Sequence, residues 1–155
     1  MSALLDVKKG LNKKVKMISD GGIKFSGDIA KALAAGADAV MVGSMLAGTS
    51  EAPGKIIKKK GKLFKVFRGM GSVGAMNKGS ADRYFQKKQK DKSKYVPEGV
   101  EGLIKYKGDV SKTINKLVGG LRSSMGYLGA EQIKYLNKKA KFVKITKAGF
   151  YESMV

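Results

Sequence analysis

The stretch from Ile18 to Ser44, ISDGGIKFSGDIAKALAAGADAVMVGS, constrains what this chain can fold into more than any other. The apolar run Val15-Lys16-Met17-Ile18-Ser19 is short and β-compatible, and it stops at Asp20-Gly21-Gly22. Ser26 stands where a helix N-cap belongs, and Asp28 sets a negative charge at the positive end of the helix dipole. Ile29, Ala30, Leu33 and Ala34 recur at the spacing of one helical face, and Gly36 follows as a stop. Ala39-Val40-Met41-Val42 reads as a second strand, closed by Gly43-Ser44. Two strands joined by one helix in so short a span imply a βαβ unit with parallel strands.

Both glycine turns then leave the carboxyl ends of neighbouring strands, where parallel α/β folds bind their ligands. Glycine lets backbone N–H groups approach a phosphate closely, and Ser44 adds a hydroxyl donor. Asp20 can accept hydrogen bonds from a pair of sugar hydroxyls. Glycines close elements in every α/β protein. Two coordinated turns, one with an acid and one with a serine, favour a phosphorylated sugar.

Beyond this unit, Pro53-Gly54 breaks the chain. Lys55-Ile56-Ile57 and Leu63-Phe64-Lys65-Val66-Phe67, separated by Lys60-Gly61, form a hairpin pattern. From Asn77 to Lys107 the chain is polar, lysine-rich and without apolar periodicity, which is the pattern of a long mobile flap. Asp109 then caps a long helix with Val110, Ile114, Leu117, Val118 and Leu121 on one face. Gly119-Gly120 inside that helix costs helical stability but permits close approach of a neighbour. Gly129 ends it, Ala130 to Leu136 forms a shorter helix, and Phe142 to Ile145 is extended.

The formal charge of +20 and pI near 10.1 raise the possibility of a nucleic-acid-binding protein. The lysine runs, Lys58-Lys59-Lys60, Lys87-Lys88 and Lys138-Lys139, are scattered through unrelated elements, and lysine far exceeds arginine. Arginine is the residue expected at bidentate base or phosphate contacts. Solvated lysine faces, with at most weak, salt-sensitive RNA association, are the preferred reading. With neither cysteine nor histidine, the chain has no disulfide framework, no thiolate metal site and no histidine base for a serine. No signal-peptide core and no transmembrane run is present in the sequence.

Arg68-Gly69-Met70-Gly71-Ser72, Asp82-Arg83-Tyr84-Phe85 and Pro97-Glu98-Gly99-Val100-Glu101-Gly102 complete the pattern opened by residues 18–44. In order and spacing these motifs closely resemble the C-terminal part of inosine monophosphate (IMP) dehydrogenase, across essentially the whole chain. Guanosine monophosphate reductase shares the barrel and phosphate turns, but generally lacks the Arg-Tyr pair on a flap.

The resemblance implies an α/β fold, the C-terminal part of a (β/α)8 TIM barrel. It would comprise about the last two barrel strands, a hairpin, a long flap and closing helices, without a CBS regulatory domain. Residues 1–54 would hold the last βα units, 55–108 the hairpin, purine loop and flap, and 109–155 the closing helices and tail. The implied activity is NAD-dependent oxidation of IMP to xanthosine monophosphate, in a cytoplasmic homo-tetramer that also uses potassium. Asp20 would hold the ribose hydroxyls, and Gly22, Gly43 and Ser44 the phosphate. Gly69, Met70 and Gly71 would lie along the purine, and Glu98 would contact its ring. Arg83 and Tyr84 would activate water to hydrolyse a covalent intermediate. Glu152 and Ser153 would help complete a potassium site on a neighbouring subunit.

Three departures stand against the family pattern. The family's nucleophile is a cysteine on a preceding loop, and this chain has none. Phe67 replaces a tyrosine whose hydroxyl reaches the phosphate, and Met154 replaces the histidine of a C-terminal Glu-Ser-His. A complete barrel needs ~250 residues, against 155 here. Alone, the chain is expected to fold poorly, exposing a sheet edge and an apolar face until the N-terminal part of the barrel completes it. The alternatives are a guanosine monophosphate reductase-like fragment and a non-catalytic basic remnant that binds nucleic acid.

Overall fold

The computed structural model describes residues 1–12, 14–85, 96, 99 and 101–152. They form two compact units, Met1–Met41 with Leu117–Val155, and Val42–Lys116. In the first unit, α1 (Ser2–Gly10) precedes β1 (Ile18–Asp20), α2 (Ser26–Ala34) and β2 (Ala39–Met41). The strands pair in parallel, Ile18 opposite Ala39 and Asp20 opposite Met41, so the βαβ unit read from the sequence is present. β1 begins later than the apolar run implies. Val15 is in a turn, its N–H donating to the Asn12 carbonyl at 2.9 Å, and Met17 donates its N–H to the Asp38 carboxylate at 3.0 Å. That hydrogen bond and the nearby Lys16 ammonium hold the Asp38 carboxyl below its usual range.

The start of α2 corrects the expectation for Ser26. Phe25 is the N-cap and Ser26 the first helical residue. Asp28 performs the capping, its carboxylate accepting the N–H groups of Phe25 at 2.9 Å and Lys24 at 3.0 Å. A carboxylate satisfies two orphan donors more strongly than a serine hydroxyl could. The helix ends as the sequence implies, with Gly36 at φ +104° and its N–H on the Leu33 carbonyl. Asn137 covers another terminal carbonyl, donating to Ala34 at 2.9 Å.

The core of this unit is the apolar face of α2, with Ile29, Ala30 and Leu33 buried alongside Met17, Leu117 and the fully enclosed Leu136. Pleating sends Ser19 to the buried side and leaves Ile18 57% and Met41 51% exposed on the other face. The expected uncovered sheet face is therefore present.

α4 (Val110–Tyr127) is the long helix expected. The Asp109 carboxylate accepts the Ser111 hydroxyl and, at 2.7 Å, its N–H; these bonds lower its pKa. Only Leu117 of its apolar stripe is buried, while Ile114 and Val118 are each 40% exposed. Of the two glycines, Gly120 presses on Ser26, where a Cβ would overlap the serine side chain, and Gly119 faces open space. The short helix expected at Ala130 starts later, as a 3-10 turn at Ile133–Tyr135 running into α5 (Leu136–Lys139), because Gln132 is extended. Residues 141–146 form no regular element, and α6 (Lys147–Glu152) follows.

In the second unit β3 (Ile56–Lys59) and β4 (Lys62–Arg68) form the expected hairpin. Both turn residues have positive φ, Lys60 at 49° and Gly61 at 73°, as a tight two-residue hairpin turn requires. β5 (Glu101–Lys105) pairs with the other edge of β4, Phe64 opposite Lys105 and Arg68 opposite Glu101. This corrects the flap expectation at its C-terminal end. Residues 101–105 look polar because only Leu103 and Ile104 carry apolar bulk, but β4 offers a free edge of backbone groups.

The N-terminal end of the expected flap is also structured. Helix α3 (Val73–Ala75) runs into a wide π-type turn, Met76–Ser80, and a 3-10 turn, Ala81–Tyr84. Met76, 1% exposed against Val73, is the anchor, and the Ser80 hydroxyl donates to the Met70 carbonyl at 2.7 Å. The middle of the expected flap, residues 86–95, lies outside the described residues.

Candidate nucleotide site

The Arg68–Ser72 motif is built from backbone geometry. After β4, the Ser72 N–H donates to the Gly69 carbonyl at 3.0 Å, turning the chain sharply. Ser72 then caps α3, its hydroxyl accepting the Ala75 N–H at 3.3 Å. Glu101 holds this turn from β5. Its Oε1 accepts the Gly74 N–H at 2.7 Å and lies 3.8 Å from Arg68 Nε. The Ser72 hydroxyl, the Gly74 N–H and the Arg68 charge together keep the Glu101 carboxyl below its ordinary value. A Cβ at Gly74 would overlap that Oε1, so a larger residue here would push the Glu101 carboxylate aside. Gly99 packs on the same turn, with Ser72 N only 2.9 Å from where its Cβ would stand.

Beside this loop lies a cleft of about 910 Å³. One wall is Gly43, Leu46 and Ala47 with Ala52 to Lys55; the other is Val66, Phe67 and Arg68 of β4. Met70, Ala75, Lys78, Gly79, Ser80 and Arg83 complete it. Gly43, Met70 and Arg83, chosen from motifs far apart in sequence, therefore line one cavity. Ser44, Gly69 and Gly71 adjoin lining residues in the chain but are not in the wall. Phe67, half-buried, contributes its ring to the wall and has no hydroxyl to donate.

The electrostatics of the cleft are one-sided. Lys55, Arg68, Lys78 and Arg83 line it and no carboxylate does. Arg68 is engaged by Glu101 and, at 3.4 Å, by the Gly74 carbonyl. Among the described residues, the side chains of Lys55, Lys78 and Arg83 have no ion-pair partner. Uncompensated cations around a partly apolar cavity attract an anionic ligand with an apolar body.

Asp20 and Gly22 belong to the first unit. Asp20 ends β1 and is exposed, and its carboxylate has no hydrogen-bond partner among the described residues. Gly21 and Gly22 have φ of +86° and +77° with open space around them, so backbone conformation is what selects glycine there. Arg83 is exposed in the 3-10 turn, followed by Tyr84, whose side chain lies outside the described part. Glu98 and Ser153 likewise lie outside the described residues, and Glu152 is exposed on α6. No group of three His, Cys, Asp or Glu side chains that could hold a metal occurs among the described residues.

Two residues of this unit carry interactions that sequence reasoning did not assign. Glu101 lay within a quoted motif, which was its only signal. Lys65 gave none: it is 2% exposed, and its ammonium donates to the carbonyls of Thr49 at 2.5 Å, Ser50 at 2.8 Å and Ala52. A lysine within a hairpin strand reads as a solvated side chain.

Known proteins support this reading of the motifs. The family model for the IMP dehydrogenase / GMP reductase domain matches residues 1–155. Inosine-5'-monophosphate dehydrogenase of Bacillus subtilis is 60% identical over 137 residues, covering 88% of this chain and 28% of that protein. The protein of the same name from Rhizobium tropici is 54% identical, covering 95% of this chain and 30% of its own length. The Methanocaldococcus jannaschii protein is 55% identical, covering 99% and 32% respectively. The chain thus spans about a third of the length of the curated relatives it matches. The chain belongs to the IMP dehydrogenase / GMP reductase domain family.

Proposed function

We propose that this chain is the C-terminal part of a (β/α)8 barrel that oxidises IMP to xanthosine monophosphate with NAD. The observation that carries the reading is the cleft in which Gly43, Met70 and Arg83 meet, and whose cations Lys55, Lys78 and Arg83 have no ion-pair partner among the described residues. A nucleotide supplies both the anionic group and the apolar body that such a cavity selects. Gly22, Gly43 and Ser44 would receive the phosphate through backbone N–H and hydroxyl donors, and Asp20 the ribose hydroxyls. Gly69, Met70 and Gly71 would carry the purine, with Glu98 at its ring. Phe67 would pack against the ligand without donating to it.

The residues present also fit a second anionic group: Lys55 and Lys78 have no ion-pair partner among the described residues, and no carboxylate lines the cleft. When bound, NAD supplies the hydride acceptor. The chain's own chemical contribution would be Arg83 with Tyr84, positioning and deprotonating the water that releases product. Arginine can take that proton only in its neutral form, which desolvation favours. Arg83 is exposed in this structure, so that step requires it to be shielded from water in the complete enzyme. The cysteine nucleophile would come from the rest of the barrel, on a partner chain or a longer polypeptide, because this chain has no cysteine and no histidine to activate a serine. Potassium would be shared between Glu152, Ser153 and a neighbouring subunit of a tetramer.

The Arg83-Tyr84 pair favours the dehydrogenase over the reductase within this family. A cytoplasmic setting fits a nucleotide-metabolising enzyme; among the described residues no helix is long and apolar enough to cross a membrane. Calorimetry with IMP tests the reading, on this chain alone and mixed with the N-terminal portion of the barrel. Binding with NAD reduction in the mixture is the expected result. A folded mixture that binds no IMP overturns it. Salt-sensitive binding of RNA by that mixture would instead favour the basic remnant.

A further inference from the structure

The Lys65 ammonium is the least ordinary buried group of the second unit. Its side chain is almost wholly enclosed, and among the described residues no carboxylate pairs with it. An unpaired buried charge is costly unless its donors are satisfied. Here an ammonium has three N–H donors and meets three converging carbonyls, of Thr49, Ser50 and Ala52. The arrangement is that of a monovalent cation in a carbonyl cage, with the cation tethered to β4.

The geometry around it ties two walls of the cleft. The cage residues lead directly into Ala52 to Lys55, and Lys65 leads directly into Val66 to Arg68. The Val66 N–H donates to the Lys55 carbonyl at 3.0 Å. Gly54, at φ +116°, sits so close to the Val66 carbonyl that a Cβ would overlap it. The far side of the loop is held by backbone, with Ser50 N–H on the Gly108 carbonyl at 2.8 Å and Lys107 N–H on the Gly48 carbonyl at 2.8 Å. The N–H and hydroxyl of Thr49 both donate within the loop, to the Leu46 carbonyl. The carbonyls that point inward therefore depend on the ammonium.

We propose that Lys65 is a positioning residue, a tethered cation that holds the loop 49–55 as one wall of the cleft. The proposal rests on the nucleotide reading only in regarding that cleft as a ligand site. Its tests use no nucleotide, so the two can fail separately.

The first test is nitrogen-edited NMR of the lysine ammonium groups in the whole chain near neutral pH. Solvated ammonium protons exchange with water too fast to be seen, whereas three hydrogen bonds protect those of Lys65. An ammonium signal that disappears in Lys65→Arg is expected, and its absence from the unsubstituted chain overturns the proposal. The second test is amide exchange in Lys65→Met and Lys65→Ala. Ser50 and Lys107 should exchange at least tenfold faster in both, with Leu33 of α2 unchanged. Propylammonium, which replaces the atoms deleted in Lys65→Ala, should restore that protection where tetramethylammonium does not. Unchanged exchange at Ser50 in Lys65→Met, or equal effects of the two cations, overturns the cage. If Lys65→Ala does not fold, the ammonium signal and Lys65→Met decide.

Discussion

At the residue scale, Gly119 and Gly120 show how neighbours of one type can have opposite roles. Alanine is the better helix former by about 1 kcal/mol, and a Cβ at Gly119 meets nothing. Gly119→Ala should therefore raise stability by roughly 0.5–1 kcal/mol in a denaturant titration. Gly120→Ala should lower it by about 1–3 kcal/mol, the usual cost of overpacking, because the new methyl overlaps Ser26. Ser26→Gly should recover much of that loss. Asp20 belongs to the same scale. Its carboxylate is exposed and has no hydrogen-bond partner among the described residues, so in the proposed enzyme Asp20→Ala should weaken IMP binding by about 1–3 kcal/mol while leaving the melting temperature unchanged. Unchanged binding would make it a turn residue only. In the assembled barrel of the proposed enzyme, Arg83→Ala, with Tyr84 intact, should slow hydrolysis of the covalent intermediate more than hydride transfer. In a stopped-flow trace the reduced-cofactor burst would persist and the steady state would fall; equal loss in both phases would remove Arg83 from the water step.

At the element scale, Glu101 converts β5 into a brace for the turn at residues 69–74. Its carboxyl titrates below the ordinary value of 4.5 because the charged form is held by Ser72, Gly74 and Arg68. A depressed carboxyl contributes stability that is full above its unfolded value and disappears as pH falls through the folded one. The difference in melting temperature between the native chain and Glu101→Gln should therefore be largest at neutral pH. It should close on acidification below 4.5; a difference independent of pH would show that the ion is not what braces the turn. The hairpin turn offers a second check. Lys60 holds a left-handed conformation that asparagine or glycine tolerates better. Lys60→Asn should stabilise by a few tenths to about 1 kcal/mol, read from the same denaturant titration.

At the scale of the whole molecule, the apolar surface left bare is informative. Ile18 and Met41 on the sheet face, with Ile114 and Val118 on α4, are where further barrel elements would pack in the proposed enzyme. Isolated, the chain should bind a hydrophobic dye such as anilinonaphthalene sulfonate. Mixing with the N-terminal portion should abolish that fluorescence and raise the melting temperature. A stable, cooperatively melting monomer that binds no dye would count against an incomplete barrel. The second described unit is anchored by one large buried hydrophobe, Met76, and by the buried Thr49, Lys65 and Ser72. Truncating the fully buried Leu136 to alanine should cost about 2–5 kcal/mol in the first unit.

Local chemistry made the βαβ unit, the Lys60-Gly61 hairpin turn and the Asp109 cap legible in the sequence, because strand alternation, positive φ and N-capping depend on a few adjacent residues. The motifs that place the chain in its family were legible for the same reason: each is a contiguous run. Interactions between distant segments were not. β5 forms because β4 has an open edge, which no property of residues 101–105 announces. Asp28 displaced Ser26 as the cap of α2 because a carboxylate reached back over two donors. The assembly of Gly43, Met70 and Arg83 around one cleft, and the burial of Lys65 in its carbonyl cage, were decided only by the tertiary structure. A side chain's partner is set by where other backbone groups converge, and that convergence exists only once the chain has folded.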